Sequence, residues 1–252
     1  MMVRSVSLAN RIISAWKRHG GTGCFVLLGK NISHYLGELL SGRLFGKAEE
    51  VRSEYDEAHG TDTERIREVG SLHIESENAR HAVRYQPSPS NLARQVIHGL
   101  NIAHSQFTFL DFGAGKGRVL LLAAELPFHD VTGIEFSLEL CEIANSNIAR
   151  LSSQKRLAAH VECQHADATA FALPETPLVC YFYNPFDAVI MQSVADRLSA
   201  SLAAHPREIH VIYLHPEHRA IFEASGRWDV SDEGPFHIVY RARSPEALPQ
   251  AI

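Results

Sequence analysis

The sequence is poor in residues that build disulfide scaffolds. Its 252 residues include only four cysteines, namely Cys24, Cys141, Cys163 and Cys180. No two are spaced as CxxC, and the last two lie in apolar, strand-like runs, so we expect buried, reduced thiols. Histidines are more numerous, at fifteen, but His215 and His218 lack a second cluster that would complete a ligand set. We therefore expect neither a disulfide framework nor a metal site.

The chain also lacks an excess of positive charge and long hydrophobic runs. Its formal net charge is −5 at pH 7, which argues against general nucleic-acid binding, because that binding needs a cationic surface to displace phosphate counterions. The apolar run Phe25–Leu28 is too short for a signal peptide or a membrane span. With 45% hydrophobic and 21% charged residues, the sequence predicts an ordinary globular protein of the cytoplasm.

Residues 1–83 differ in composition from the rest and predict a helical N-terminal extension. Residues 1–47 hold seven lysines or arginines and one acid, whereas residues 48–80 hold ten acids and four arginines. Within the basic stretch, Ile12, Ile13 and Trp16 recur at helical spacing, which predicts a basic amphipathic helix. We favour a helix docked on the main domain, since surface helices usually bury their apolar stripe. Contact with an anionic membrane surface or a partner is the alternative.

From residue 84 onward, short apolar runs alternate with helical stretches. The runs are Phe107–Phe112, Val131–Glu135, Val161–Gln164, Leu178–Tyr183, Ile209–Leu214 and His237–Arg241. The helical stretches are Gly117–Leu126, Leu138–Leu151, Ala188–Ala204 and Glu217–Ala224. This alternation is typical of βαβ units around a parallel sheet. It predicts one α/β domain over residues 84–252.

A glycine-rich turn links the first apolar run to the following helix. Its sequence is Asp111-Phe112-Gly113-Ala114-Gly115-Lys116-Gly117-Arg118. Glycines let a ligand approach the backbone closely, and the helix N-terminus offers unpaired amides. The nicotinamide pattern GxGxxG needs a small residue at position 118, so Arg118 disfavours a dinucleotide.

The second apolar run ends in an acid, Glu135. An ionised carboxylate only accepts hydrogen bonds, so it can receive both hydroxyls of a ribose. It follows the glycine turn by about 20 residues, the spacing of an acid that binds ribose. The alternative is a strand-end acid that only contacts water.

The turn and Glu135 resemble motif I and the second-strand acid of class I S-adenosylmethionine-dependent methyltransferases, a Rossmann-like family. The likeness covers residues 84–241 in order and spacing. It implies a three-layer α/β fold whose sheet has seven strands, the last one antiparallel. It also implies that S-adenosylmethionine contacts Asp111, Gly113, Ala114, Gly115, Gly117 and Glu135. By the same resemblance, the Asp167 carboxylate would accept a hydrogen bond from the exocyclic amine of adenine. The alternative is that Asp167 only caps a turn.

Asn184-Pro185-Phe186, after the fourth run, resembles the (N/D)PP(Y/F) signature of amino methyltransferases. This implies that the Asn184 amide oxygen accepts a hydrogen bond from a substrate amine and that Phe186 packs against the target group. The sequence departs from the signature by having a single proline, which leaves the amine preference open. A turn residue is the alternative role for Asn184.

The segment that begins at Tyr85 is similar to the one before motif I in non-SET protein lysine methyltransferases. The resemblance implies that Tyr85 lines the methionine end of the cofactor. The alternative is purely structural: Ser88 and Pro89 fit the N-cap and first position of a helix that begins near Asn91.

Methyl transfer to an acceptor, with an amine nitrogen of a protein or small molecule favoured, is therefore the predicted function. Two alternatives stay open: a non-catalytic S-adenosylmethionine-binding module and a nicotinamide-dependent oxidoreductase. Arg118 and the missing Tyr-x-x-x-Lys pair count against the oxidoreductase. The methyl acceptor itself, and with it N- versus O-methylation, is not determined by these motifs.

Overall fold

The computed structural model describes residues 54–64, 86–151 and 156–243. All of them lie within one compact unit, Arg52–Ile252. The predicted amphipathic helix near the N-terminus, Cys24 and Tyr85 lie outside the described residues. The proposed boundary at residues 83 and 84 stays a prediction.

The described residues form a seven-stranded mixed sheet. The strands are β1 (Thr108–Phe112), β2 (Asp130–Glu135), β3 (His160–His165), β4 (Leu178–Tyr183), β5 (Ile209–Leu214), β6 (Trp228–Gly234) and β7 (His237–Ala242). Their order is β3-β2-β1-β4-β5-β7-β6. Strands β1 to β5 run parallel, whereas β7 is antiparallel to both β5 and β6. The predicted Rossmann-like fold with its antiparallel end is confirmed.

Strand β6 was not among the apolar runs that predicted the other strands. It is one of the two edge strands of the sheet, and only its first residue, Trp228, is buried. An edge strand with solvent on most of its side chains has no reason to be apolar. The hydrophobic pattern therefore carries no signal for it.

Helices flank the sheet, and we number them along the described residues. They are α1 (Glu54–His59), α2 (Ser90–His98), α3 (Arg118–Ala123), α4 (Leu138–Arg150), α5 (Ala188–Ala204) and α6 (Arg219–Ala224). Ser137 caps α4, and the Asp187 carboxylate caps α5 by accepting from two backbone amides. The prediction that Ser88 caps α2 is wrong. Pro89 is extended, with ψ of 108°, so the helix begins at Ser90 and Ser88 is buried ahead of it.

Alternate residues of the central strands face opposite sides of the sheet, as strand geometry requires. Val179 and Tyr181 of β4 pack in one core cluster, together with residues of α2, α3 and α4. Cys180 and Phe182 pack in a second cluster with residues of α5 and α6. With these two clusters the described residues form three layers, which explains why β1 and β5 are buried along their whole length.

The described cysteines are free and buried, as predicted for Cys141, Cys163 and Cys180. Within the described ranges, no group of three or more histidine, cysteine or acidic residues could hold a metal ion. In the same part of the chain, no helix is both long and apolar enough to span a bilayer.

Candidate active site

The carboxyl ends of the central strands surround a cavity of about 340 Å³, a volume within the range of small-molecule sites. It lies where the chain leaves β1 and β4 in opposite directions across the sheet, the position at which α/β proteins bind ligands. Its walls come from the glycine turn, the ends of β2, β4 and β5, and the segment before α2. The lining residues are Gln86, Pro87, Ser88, Asp111, Gly113, Ala114, Arg118, Val119, Glu135, Phe136, Leu140, Tyr183, Asn184, Pro185, His215 and Glu217.

The glycine turn depends on conformations that other residues rarely adopt. Gly113, Gly115 and Gly117 have φ values of 77°, 55° and 80°. A Cβ added at Gly113 would lie 2.4 Å from the Cβ of Pro185, so the turn and the loop after β4 approach each other closely. The amides of Gly113 and Ala114 donate to the carbonyl of Ile134 at 2.9 and 3.2 Å. These bonds hold the turn against the end of β2.

Glu135 follows Ile134 and is only 3% exposed. One carboxylate oxygen accepts from the Gly115 amide at 2.8 Å, and the other accepts from the Ser137 amide at 2.9 Å. Burial raises the pKa of Glu135 to about 7, although these amides oppose the shift. A carboxylate has about four acceptor positions, more than the backbone amides of Ser137, Gly115 and Phe136 occupy, and the residue lines the cavity. Glu135 can therefore support the turn and bind a ligand hydroxyl.

Asp111 is the second buried carboxyl group of the cavity wall, at 3% exposure. Burial, and secondarily the charge of Glu135, raises the pKa of Asp111 well above its ordinary value. Burial and the neighbouring carboxyl group therefore both oppose ionisation of Asp111 in this wall.

The end of β4 places Asn184 in the cavity wall with a φ of 41°, and the end of β5 places His215 there with a φ of 48°. Among the described residues these are the non-glycine positions with positive φ. Asparagine tolerates this conformation better than most residues. Backbone strain of this kind is concentrated at functional sites. The Asn184 amide oxygen accepts a long hydrogen bond, 3.5 Å, from the Glu217 amide.

Four predicted site residues that the structure describes lie outside the cavity wall, namely Gly115, Gly117, Asp167 and Phe186. Gly115 and Gly117 belong to the turn that forms part of the wall, and their contacts with the cofactor stay predictions. Phe186 is 8% exposed and packs in the second core cluster. The Asp167 carboxylate accepts from the amide and hydroxyl of Thr169 at 2.8 and 2.7 Å, the geometry of a turn cap. Their contacts with substrate and adenine stay predictions. Tyr85 lies outside the described residues, although Gln86, which follows it, lines the cavity.

Several lining residues were not predicted from the sequence. Tyr183 and His215 end β4 and β5 or follow them directly, and their rings lie 5.6 Å apart. Their position at the carboxyl ends of parallel strands is a signal that could have identified them. In the sequence analysis Arg118 served only as evidence against a dinucleotide, yet the residue lines the cavity.

A family model described as a methyltransferase domain matches residues 109–212. The match runs from β1 into β5 and includes the glycine turn, Glu135 and Asn184. The strand order and the antiparallel β7 agree with the class I fold of such enzymes. This chain therefore carries a methyltransferase domain with the class I fold. It uses S-adenosylmethionine as the methyl donor.

No curated protein matches the methyltransferase in sequence. Among solved structures, it is similar to the ribosomal protein L11 methylase of Lactobacillus delbrueckii subsp. bulgaricus, at 14% identity and a TM-score of 0.46, over 64% of this chain and 80% of that one. It is also similar to an RNA methyltransferase of Salinibacter ruber in complex with S-adenosyl-L-homocysteine, at 20% identity and a TM-score of 0.44, over 66% and 97%.

The residues of the cavity fit the cofactor. Glu135 offers a buried acceptor for ribose hydroxyls, and Gly113 and Ala114 bring the backbone of the glycine turn to the cavity wall. When bound, the cofactor supplies a methyl group already activated as a sulfonium. The methyltransferase therefore has mainly to position the acceptor and exclude water.

The pKa of Glu135 predicts opposite pH effects on cofactor affinity and stability. Lowering the pH from 8 to 6 protonates the carboxylate and weakens S-adenosylhomocysteine binding, because an acceptor is lost. For the free enzyme, the folded-state pKa of about 7 exceeds the ordinary value of 4.5, so the folded state holds the proton more tightly. The stability from this group is present below pH 4.5 and is lost as the pH rises to about 7.

Calorimetry at several pH values would measure the affinity, and denaturant unfolding would measure the stability. The Glu135→Gln variant is the control, because residue 135 then does not titrate, so both profiles should depend less on pH than those of the wild type. Equal pH profiles for the variant and the wild type would show that another group is responsible.

Proposed function

We propose that the methyltransferase transfers the methyl group of S-adenosylmethionine to an amine nitrogen, carried by a protein or a small molecule. The observation that supports this most directly is the position of Asn184 in the cavity wall, adjacent to Pro185, which closely approaches Gly113 of the glycine turn. A polar amide oxygen therefore lies beside the site that binds the methyl donor.

The reaction needs a correctly aimed lone pair. The Asn184 amide oxygen accepts a hydrogen bond from an N–H of the neutral amine and turns the nitrogen lone pair toward the methyl carbon. The new carbon–nitrogen bond forms as the carbon–sulfur bond breaks, and the amine proton then leaves to solvent. The long bond from the Glu217 amide, 3.5 Å, leaves the oxygen accessible to a stronger donor.

The part of the cavity wall that Tyr183, His215 and Glu217 form, which we call the acceptor end, suits an amine. Tyr183 and His215 offer aromatic faces, and the exposed Glu217 carboxylate attracts a cationic group from solution. A protonated amine would approach this end and lose its proton to solvent before transfer. The same features serve a small molecule or a flexible protein side chain.

Removing the amide of Asn184 should slow transfer about 10- to 100-fold, because the acceptor is no longer aligned. Asn184→Gly is the sharper variant, since glycine adopts the positive φ of 41° without strain and lacks only the side chain. Transfer of radiolabelled methyl from the cofactor into protein and small-molecule fractions of a cell extract measures the rate. Calorimetry with S-adenosylhomocysteine should give nearly unchanged affinity.

The outcomes separate the possible roles of Asn184. Wild-type transfer by Asn184→Gly would mean that the residue serves only the backbone turn. Cofactor binding by the wild type without transfer to any fraction would favour a non-catalytic binding module. The chemical class of the labelled product, identified by mass spectrometry, tests the amine assignment.

We also propose that the enzyme acts in the cytoplasm; contact of its basic N-terminal stretch with an anionic membrane surface or a partner is proposed second, as the alternative to the docked helix that the sequence favours. Free, buried thiols at Cys141, Cys163 and Cys180 support a reducing compartment. The seven basic residues within positions 1–47 support the second proposal. Fractionation of cells tests both, and enzyme recovered only from an extracytoplasmic fraction would contradict the location.

A further inference from the structure

A segment far from the glycine turn in sequence contacts it directly. Residues 54–64, which we call the strap, comprise α1 and the turn that follows it. Asp56 of the strap is 2% exposed. Its carboxylate accepts from the hydroxyls of Thr61 and Thr63, both at 2.7 Å, and from the amides of Thr63 and Glu64. Burial opposes its ionisation, but these bonds outweigh burial and lower the pKa of Asp56. A single carboxylate thus defines the shape of the strap turn.

The strap binds the two cationic side chains of the glycine turn. Lys116 is fully buried, and its ammonium group donates to Asp62 at 2.9 Å. Arg118 donates from Nε to the Thr63 hydroxyl at 2.8 Å and forms an ion pair with Glu64. Both positive charges of the turn, including that of Arg118, which disfavours a dinucleotide, are therefore partnered by the strap.

Asn147 of α4 joins the strap backbone to the turn backbone. It is 1% exposed. Its amide nitrogen donates to the carbonyls of Lys116 and Asp62 at 3.0 and 3.1 Å, and its oxygen accepts from the Asp62 amide at 3.0 Å. One side chain therefore holds both segments in register.

We propose that the strap is a positioning element for S-adenosylmethionine, which fixes the glycine turn in its ligand-binding conformation through Lys116 and Arg118. The inference rests on the cofactor lying in the cavity that this turn lines. Asp62 and Thr63 touch neither the cavity nor the reacting atoms, so they act through the turn.

The physical reason lies in the cost of the turn. Three closely spaced glycines have much conformational freedom to lose, and a buried ammonium group is stable only when it is paired. With Asp62 in place, Lys116 stays buried and the backbone between Gly115 and Gly117 is held. Without it, the ammonium group gains by moving toward water, and the turn moves with it.

The test compares variants of the strap by calorimetry with S-adenosylhomocysteine and by steady-state kinetics. Asp62→Ala and Thr63→Val should each weaken binding at least fivefold and raise KM for the cofactor, with a smaller change in kcat. Thr63→Ser keeps the hydroxyl and should restore wild-type affinity. Glu57→Ala is the matched control, because Glu57 is exposed on α1. The affinity of this variant for S-adenosylhomocysteine should stay within twofold of the wild-type value.

Hydrogen exchange gives a second readout that does not depend on activity. The amides of residues 113–118 should exchange faster in Asp62→Ala than in the wild type, while those of β4 and β5 should not. If Asp62→Ala does not fold, the comparison of cofactor affinity between Thr63→Val and Thr63→Ser tests the proposal. Affinity within twofold of wild type in the folded strap variants overturns the proposal, even if their thermal stability is lower. If the wild type itself does not bind S-adenosylhomocysteine, the assignment of the cofactor site is wrong as well.

Discussion

Replacing Gly113 with alanine is expected to reduce S-adenosylmethionine binding by more than 100-fold. The new Cβ would lie 2.4 Å from the Cβ of Pro185, a distance that cannot be tolerated without a shift of the turn or of the loop after β4. Alanine at a φ of 77° is also strained, by about 1–2 kcal/mol. Because the cavity lies between these two segments, either shift changes its shape.

Calorimetry with S-adenosylhomocysteine measures this loss, and Gly226→Ala is the matched control. Gly226 has a similar φ of 65°, but an added Cβ there meets nothing within 4 Å, and the residue does not line the cavity. The control should lose a comparable amount of stability from backbone strain and keep its affinity. If the affinity of Gly113→Ala for S-adenosylhomocysteine is within threefold of the wild-type affinity, the cofactor binds elsewhere.

Replacing Glu135 with alanine is expected to weaken cofactor binding by about 1–3 kcal/mol, or roughly 5- to 150-fold, through the lost ribose contacts. The substitution also leaves the buried amides of Gly115 and Ser137 without the carboxylate that accepts from them at 2.8 and 2.9 Å. The turn should therefore loosen, and thermal stability should fall as well.

Two further variants separate these effects. Glu135→Gln keeps the size of the side chain and one acceptor oxygen, so its affinity should fall between those of the wild type and Glu135→Ala. Glu142→Ala removes an exposed acid from α4 and should change neither affinity nor melting temperature. Wild-type affinity in Glu135→Ala would refute the role of Glu135 in ribose binding.

The parts of the fold that the sequence predicts well are those with a local pattern. The buried strands β4 and β5 were predicted with their observed bounds, because strands covered on both faces are continuous apolar runs. The glycine turn and Glu135 were recognised for a similar reason, since a short segment carries all of their chemistry. Strand β6 was missed because its residues face solvent.

The parts that could not be predicted depend on contacts between distant segments. Asp62 and Lys116 are 54 positions apart, and nothing in the local pattern of either indicates the other. Lys116 would be expected at the surface from its type alone, yet it is fully buried. Phe186 was assigned to the substrate from a motif, whereas its burial in the second core cluster depends on how α5 and α6 pack on the sheet.

A crystal structure of the methyltransferase with S-adenosylhomocysteine is the most direct test of the binding site. We predict that the sugar hydroxyls lie within about 2.6–3.2 Å of the Glu135 carboxylate oxygens, with the ligand against the turn at Gly113. A ligand bound outside this cavity, or a Glu135 that contacts only the Gly115 and Ser137 amides, would contradict it.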